Sequence, residues 1–120
     1  MKKDKLIDSF KHAGEGIMKA FQTERNMKIH FFIMLCVIGL GFLLKISEME
    51  WIICILLFAF VIGGELLNTA IEVTVDMIMP NKNEKAKLAK DVSAGAVFVF
   101  AIGAAIIGII IFVPKIVGIF

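Results

Sequence analysis

From Val92 to Val113 the chain runs 22 residues without a charge. A helix that is apolar on every face is buried in a large core or in lipid, and about 20 apolar residues are what an α-helix needs to cross the hydrocarbon layer. A chain of 120 residues has no room for a core that large. Its composition agrees: 59% of the residues are hydrophobic and the mean hydropathy is +0.90, outside the range of soluble domains. The small residues of the run, including Ser93, Ala94, Gly95, Ala96, Gly103 and Gly108, permit close approach of neighbouring helices.

Two shorter uncharged runs precede it. Phe31 to Leu44 supplies 14 residues, and Ile29, His30 and a snorkelling Lys45 extend it to a span over 29–46. Trp51 to Gly64 supplies another 14, with Trp51 a candidate interface anchor. Pro80, which has no amide to donate, ends that helix, predicted over 48–79. Upstream, Leu6, Phe10, Ala13, Ile17, Ala20 and Phe21 recur at helical spacing with charges between them, which predicts an amphipathic helix lying on the membrane surface over 1–28. The expected fold is one all-α integral membrane domain, 1–120, with a surface helix and three transmembrane helices, the last over 92–113.

Charge placement orients it. Seven basic residues precede the first apolar run and four (Lys82, Lys85, Lys87, Lys90) lie between the second and third, against Lys45 alone between the first and second. The positive-inside rule then predicts a multi-pass protein of the cell membrane with the N-terminus and the 80–91 connection cytoplasmic. Nucleic acid is not an expected partner, since no aromatic or groove-reading pattern accompanies the lysines. Cys36 and Cys54 sit inside apolar runs without metal-ligand spacing and read as core thiols.

One stretch does not fit a purely structural membrane protein. Glu65-Leu-Leu-Asn68-Thr69-Ala-Ile-Glu72-Val-Thr-Val-Asp76 follows the second apolar run directly. At about 100° per residue, Glu65, Asn68, Glu72 and Asp76 share a narrow stripe with Thr69 at its edge. At ~1.5 Å per residue Glu65 lies ~21 Å along the axis from Trp51, so it is submerged near the cytoplasmic side of a ~30 Å layer. Glu72 and Asp76, a further ~10 and ~16 Å along, fall at headgroup level. Ionisable groups at such depth mark functional sites by default.

Such a stripe can relay protons in a transporter or channel, hold a divalent cation or remove a proton from a hydroxyl. Submerged Glu65 suits the base and interfacial Glu72 suits Mg²⁺. Lys90, returning to the membrane at a similar level, suits phosphate oxygens, and Asp91 suits the first turn of the third span. These are parts of phosphoryl transfer, although no Walker A or protein-kinase glycine loop is present.

The stretch from Glu65 to Asp76, followed by Ala89-Lys-Asp-Val-Ser-Ala-Gly-Ala96 and preceded by Thr23-Glu-Arg-Asn-Met-Lys-Ile-His30, closely resembles the prokaryotic diacylglycerol kinase family and, within it, the undecaprenol kinase branch of Gram-positive bacteria. The resemblance implies ATP-dependent phosphorylation of a membrane lipid alcohol at the cytoplasmic face, undecaprenol before diacylglycerol. It implies Glu65 as catalytic base, Glu24 and Glu72 as ligands of the Mg²⁺ of MgATP, Asn68 as a support for the reacting groups, and Lys90 and Asp91 as nucleotide contacts. It also implies a homotrimer whose sites draw on more than one chain. The family's loop carries a Glu-Tyr-His-like nucleotide contact where this chain has Asn81-Lys82-Asn83, and His12 stands where relatives use tyrosine, so contacts to the ATP base are not carried over to these residues.

Overall fold

The computed structural model describes residues 2–120, with side chains from Lys5 onward. It is all-helical over those residues: α1 (Lys2–Thr23), α2 (Arg25–Leu44), α3 (Glu48–Ile78) and α4 (Glu84–Ile119). The last three are long and apolar enough to cross a membrane; α1 is not among them. Large apolar side chains stand exposed along these helices, among them Phe32, Phe42, Ile55, Phe98 and Ile110. In water this surface would drive aggregation; in a bilayer it is the lipid-facing side.

The breaks between helices fall where local chemistry permits. Glu24 takes an extended conformation (φ −102°, ψ 119°) between α1 and α2, its amide closing the last bond of α1 onto the Ala20 carbonyl at 2.8 Å. The first helix therefore ends at Thr23 instead of continuing to residue 28, and the polar segment Arg25–His30 forms the first turns of α2. These residues, not a reach through Lys45, bring the first spanning helix to 20 residues. Lys45 closes α2 in the left-handed region (φ 52°), where the Ile46 amide donates to the Gly41 carbonyl at 3.1 Å. Ser47 then starts α3 with a capping box: its hydroxyl accepts from the Glu50 amide (3.2 Å) while the Glu50 carboxylate accepts from the Ser47 amide (2.9 Å).

At the other end, α3 stops at Ile78, just ahead of Pro80. The connection to α4 is shorter than the expected 80–91 loop. Asn83 accepts a hydrogen bond from the Ala86 amide at 3.0 Å and begins α4 at Glu84, so Lys85, Lys87, Lys90 and Asp91 are helical. Asp91 is thus two turns inside the helix and not in its first turn. α4 also runs through Pro114 to Ile119 instead of ending at 113; proline removes one intrahelical bond without stopping this helix.

Antiparallel α3 and α4 form the main contact, with α2 against α3. The apolar core lies toward the 45–47 turn, where Ile46, Cys54, Ile111 and Phe112 are buried and Val37, Leu40 and Trp51 pack around them. Gly41 lets the Trp51 ring lie directly on α2: a Cβ at position 41 would sit 2.7 Å from Trp51 Cη2. At the same end Lys115 Nζ reaches Glu50 Oε2 at 3.1 Å, joining the start of α3 to the end of α4. Gly64 plays the matching part near the middle, beneath the Phe100 ring, which stacks on Phe60 at 5.6 Å between centroids. The assembly measures 55 × 44 × 21 Å, a slab only two helices thick.

Candidate active site

The polar stripe of α3 meets α4 on the side of that packed centre nearer the 79–83 turn. Glu65 is the most deeply buried large side chain among the described residues, 1% exposed, and neither carboxylate oxygen has a hydrogen-bond partner. His30 of α2 faces it, with Nε2 3.7 Å from Oε2, longer than a hydrogen bond. Thr69 takes no part, because its hydroxyl donates back to the Glu65 carbonyl at 3.0 Å.

One turn further, Asn68 is 6% exposed and held at both ends of its amide. The Ser93 hydroxyl on α4 donates to Asn68 Oδ1 at 2.6 Å, and Asn68 Nδ2 donates to Glu72 Oε1 at 3.2 Å. Because a serine hydroxyl can donate to the amide oxygen, the amide nitrogen is left to face the carboxylate. Glu24 stands at the break between α1 and α2, and α1 packs against both α2 and α3. A second cross-helix bond follows below, from Lys90 Nζ to Asp76 Oδ1 at 2.8 Å.

The sequence candidates therefore divide. Glu65, Asn68 and Glu72 are brought together on α3, with Glu24 nearby. Lys90 enters through Asp76, and Asp91 is turned to Lys87 on its own helix at 2.6 Å. Lys90 and Asp91 border a cleft of about 650 Å³ between the end of α3, the 79–83 turn and the start of α4. Ser93, read from sequence as a small packing residue, is the polar group that sequence reasoning missed. Its position one turn beyond Lys90 was the available signal. Among the described residues no three His, Cys, Asp or Glu side chains converge as a metal cage.

Residues 11–112 match the prokaryotic diacylglycerol kinase family, and the chain belongs to it. Undecaprenol kinase of Bacillus subtilis (strain 168) is 47% identical over 112 residues, 93% of this chain and 91% of that protein. Diacylglycerol kinase of Synechocystis sp. is 40% identical over 91% of this chain and 63% of the relative, and that of Haemophilus influenzae is 34% identical over 78% and 80%. The chain is accordingly a lipid kinase embedded in a membrane. The transporter or channel reading of the stripe is set aside.

Proposed function

We propose that the chain transfers the γ-phosphoryl group of ATP to the hydroxyl of a membrane lipid alcohol at the cytoplasmic face, with undecaprenol as the preferred acceptor. The observation that carries this is Glu65: a carboxylate buried without hydrogen-bond partners, one turn from a fixed amide and two turns from a second carboxylate. A group so placed is costly as structure and useful as a base. Undecaprenol is favoured over diacylglycerol because the 47% relative carries that name, against 40% and 34% for the diacylglycerol kinases.

In this reading Glu65 accepts the proton of the lipid hydroxyl. Asn68, held by Ser93, orients Glu72. Lys90, and Asp91 on the adjoining cleft wall, meet the nucleotide. The donor set fits Mg²⁺, which takes oxygen ligands and keeps water and substrate phosphates in its shell, so two carboxylates suffice without a protein cage. Glu24 and Glu72 would hold it, and when bound it would neutralise charge on the nucleotide phosphates. The lysines flanking α2 and α3 support a cell-membrane protein with the N-terminus cytoplasmic and α1 an amphipathic helix on that surface. A slab 21 Å thick encloses such a stripe incompletely, which supports the homotrimer.

The test is phosphate transfer from radiolabelled ATP in mixed micelles, with undecaprenol and diacylglycerol as competing acceptors. Label should enter undecaprenol with the higher kcat/KM. Preference for diacylglycerol would reassign the acceptor, and the absence of any lipid-dependent transfer would end the kinase reading.

A further inference from the structure

A base that accepts a proton in every turnover must also lose it, and the surroundings of Glu65 leave few routes. Among the described residues His30 carries the only basic group within 4 Å of its carboxylate, Nε2 at 3.7 Å from Oε2. His30 has only uncharged side chains around it in the cavity that it borders. It sits at one end of a cavity of about 250 Å³, to which α4 contributes Ala101, Ala104, Ala105 and Gly108 and α3, besides apolar groups, the thiol of Cys54. From α1, the apolar side chains of Ile17, Met18 and Phe21 line a hollow with Met27, Phe31 and Met34 of α2. Glu24 and Glu72 are assigned to Mg²⁺ in the kinase reading above, which leaves His30 as the unassigned acceptor beside the carboxylate. The His30 side chain keeps 18% of its surface exposed, against 1% for Glu65. It therefore faces the buried carboxylate while part of its own surface remains exposed.

We propose that His30 is the proton acceptor beyond Glu65, taking at Nε2 the proton that the carboxylate removes from the acceptor alcohol. The inference rests on the kinase reading above. The hydroxyl O–H bond breaks as its oxygen bonds the γ-phosphorus, and the bond from that phosphorus to the bridging oxygen breaks with the electron pair leaving on ADP. The proton is then on Glu65. Closing 3.7 Å to hydrogen-bond distance lets the imidazole lone pair accept it, and the imidazolium releases a proton from Nδ1 to water at the interface. Glu65 is left ionised and His30 neutral, and exchange of the remaining proton from Nε2 to Nδ1 through water restores the lone pair that faces Glu65 for the next turnover. His30 acts through Glu65 and is a positioning residue, not a group that touches substrate.

The experiment uses the full chain in mixed micelles with undecaprenol. Wild-type kcat should fall as the imidazole protonates, with a midpoint between about pH 5 and 8. His30→Gln should lower kcat by about tenfold or more, leave the KM for MgATP within about twofold, and lose that acid limb. Added imidazole should restore part of the rate of His30→Ala and none of that of Glu65→Gln. A flat wild-type profile, a His30→Gln protein with wild-type kcat, or a folded His30→Ala protein deaf to imidazole overturns the relay. Should His30→Ala fail to fold, the wild-type profile and His30→Gln decide. A wild-type protein that phosphorylates no lipid alcohol overturns the kinase reading and the relay with it, whereas an active wild type beside an unaltered His30→Gln overturns the relay alone.

Discussion

Ser93 of α4 and Asn68 of α3 are joined by a 2.6 Å hydrogen bond between two buried side chains, 25 residues apart in sequence. The bond decides which end of the Asn68 amide meets Glu72. Ser93→Ala should leave the amide oxygen buried and unsatisfied, destabilising the protein by about 1–3 kcal/mol. Turnover should fall as well, because the amide is then free to rotate. Thermal unfolding in detergent together with an activity assay checks both; an unchanged melting temperature with full activity would remove Ser93 from the site.

Glu65→Gln separates chemistry from packing. Both carboxylate oxygens lack hydrogen-bond partners, so replacing the charge with an amide should leave stability unchanged or raised. Loss of the proton acceptor should reduce turnover by ~10²-fold or more with MgATP affinity little altered. Near-normal turnover would end the base assignment.

Glu72→Gln keeps an oxygen able to accept from Asn68 but removes a negative charge. Turnover at ordinary Mg²⁺ should be lost while folding and lipid association persist. Activity measured across a Mg²⁺ titration, beside a melting curve, distinguishes this from collapse of the fold. Wild-type activity would exclude a ligand role for the side chain.

Topology is open to cysteine labelling after Cys36 and Cys54 are replaced. An impermeant reagent applied to intact cells should modify a cysteine at Ser47, in the α2–α3 turn, and not one at Lys85, on the first turn of α4. Labelling at position 85 from outside would invert the orientation and move the site to the wrong face for ATP.

Glu50 uses one carboxylate oxygen for the capping box and the other for Lys115. Lys115→Met removes only the ion pair, whose cost should stay within about 1 kcal/mol. Glu50→Ala removes the reciprocal cap too and should cost about 1 kcal/mol more. Equal melting temperatures for the two variants would contradict the double role.

The three spans could be read from the sequence because lipid imposes one requirement, a long uncharged run, that owes nothing to tertiary contacts. The α3 stripe could be read because Glu65, Asn68, Glu72 and Asp76 recur at the helical period. The end of α1 could not, since Thr23-Glu-Arg-Asn contains neither proline nor glycine and only the extended backbone of Glu24 makes the break. Nor could the role of Ser93, which depends on the register of α4 against α3. The early start of α4 was available in principle, because Asn83 followed by Glu84 is a helix-start signal, but the lysine-rich run reads as a loop. The polar pair of His30 and Glu65 required the fold, because it joins residues 35 positions apart.

Gly41 and Trp51 bear on how this sequence is able to change over generations. A methyl group added at position 41 would meet two ring carbons, at 2.7 and 2.9 Å, with Ile46 close behind at 3.1 Å. The indole also lies against Phe42, at 4.9 Å between centroids, so it has little freedom to withdraw. Any residue larger than glycine at 41 must therefore be preceded by a smaller side chain at 51. The order is fixed: shrinking Trp51 first leaves a cavity that a membrane hairpin survives, whereas enlarging Gly41 first forces α2 and α3 apart. Lineages descending from this chain should carry the two positions as a linked pair.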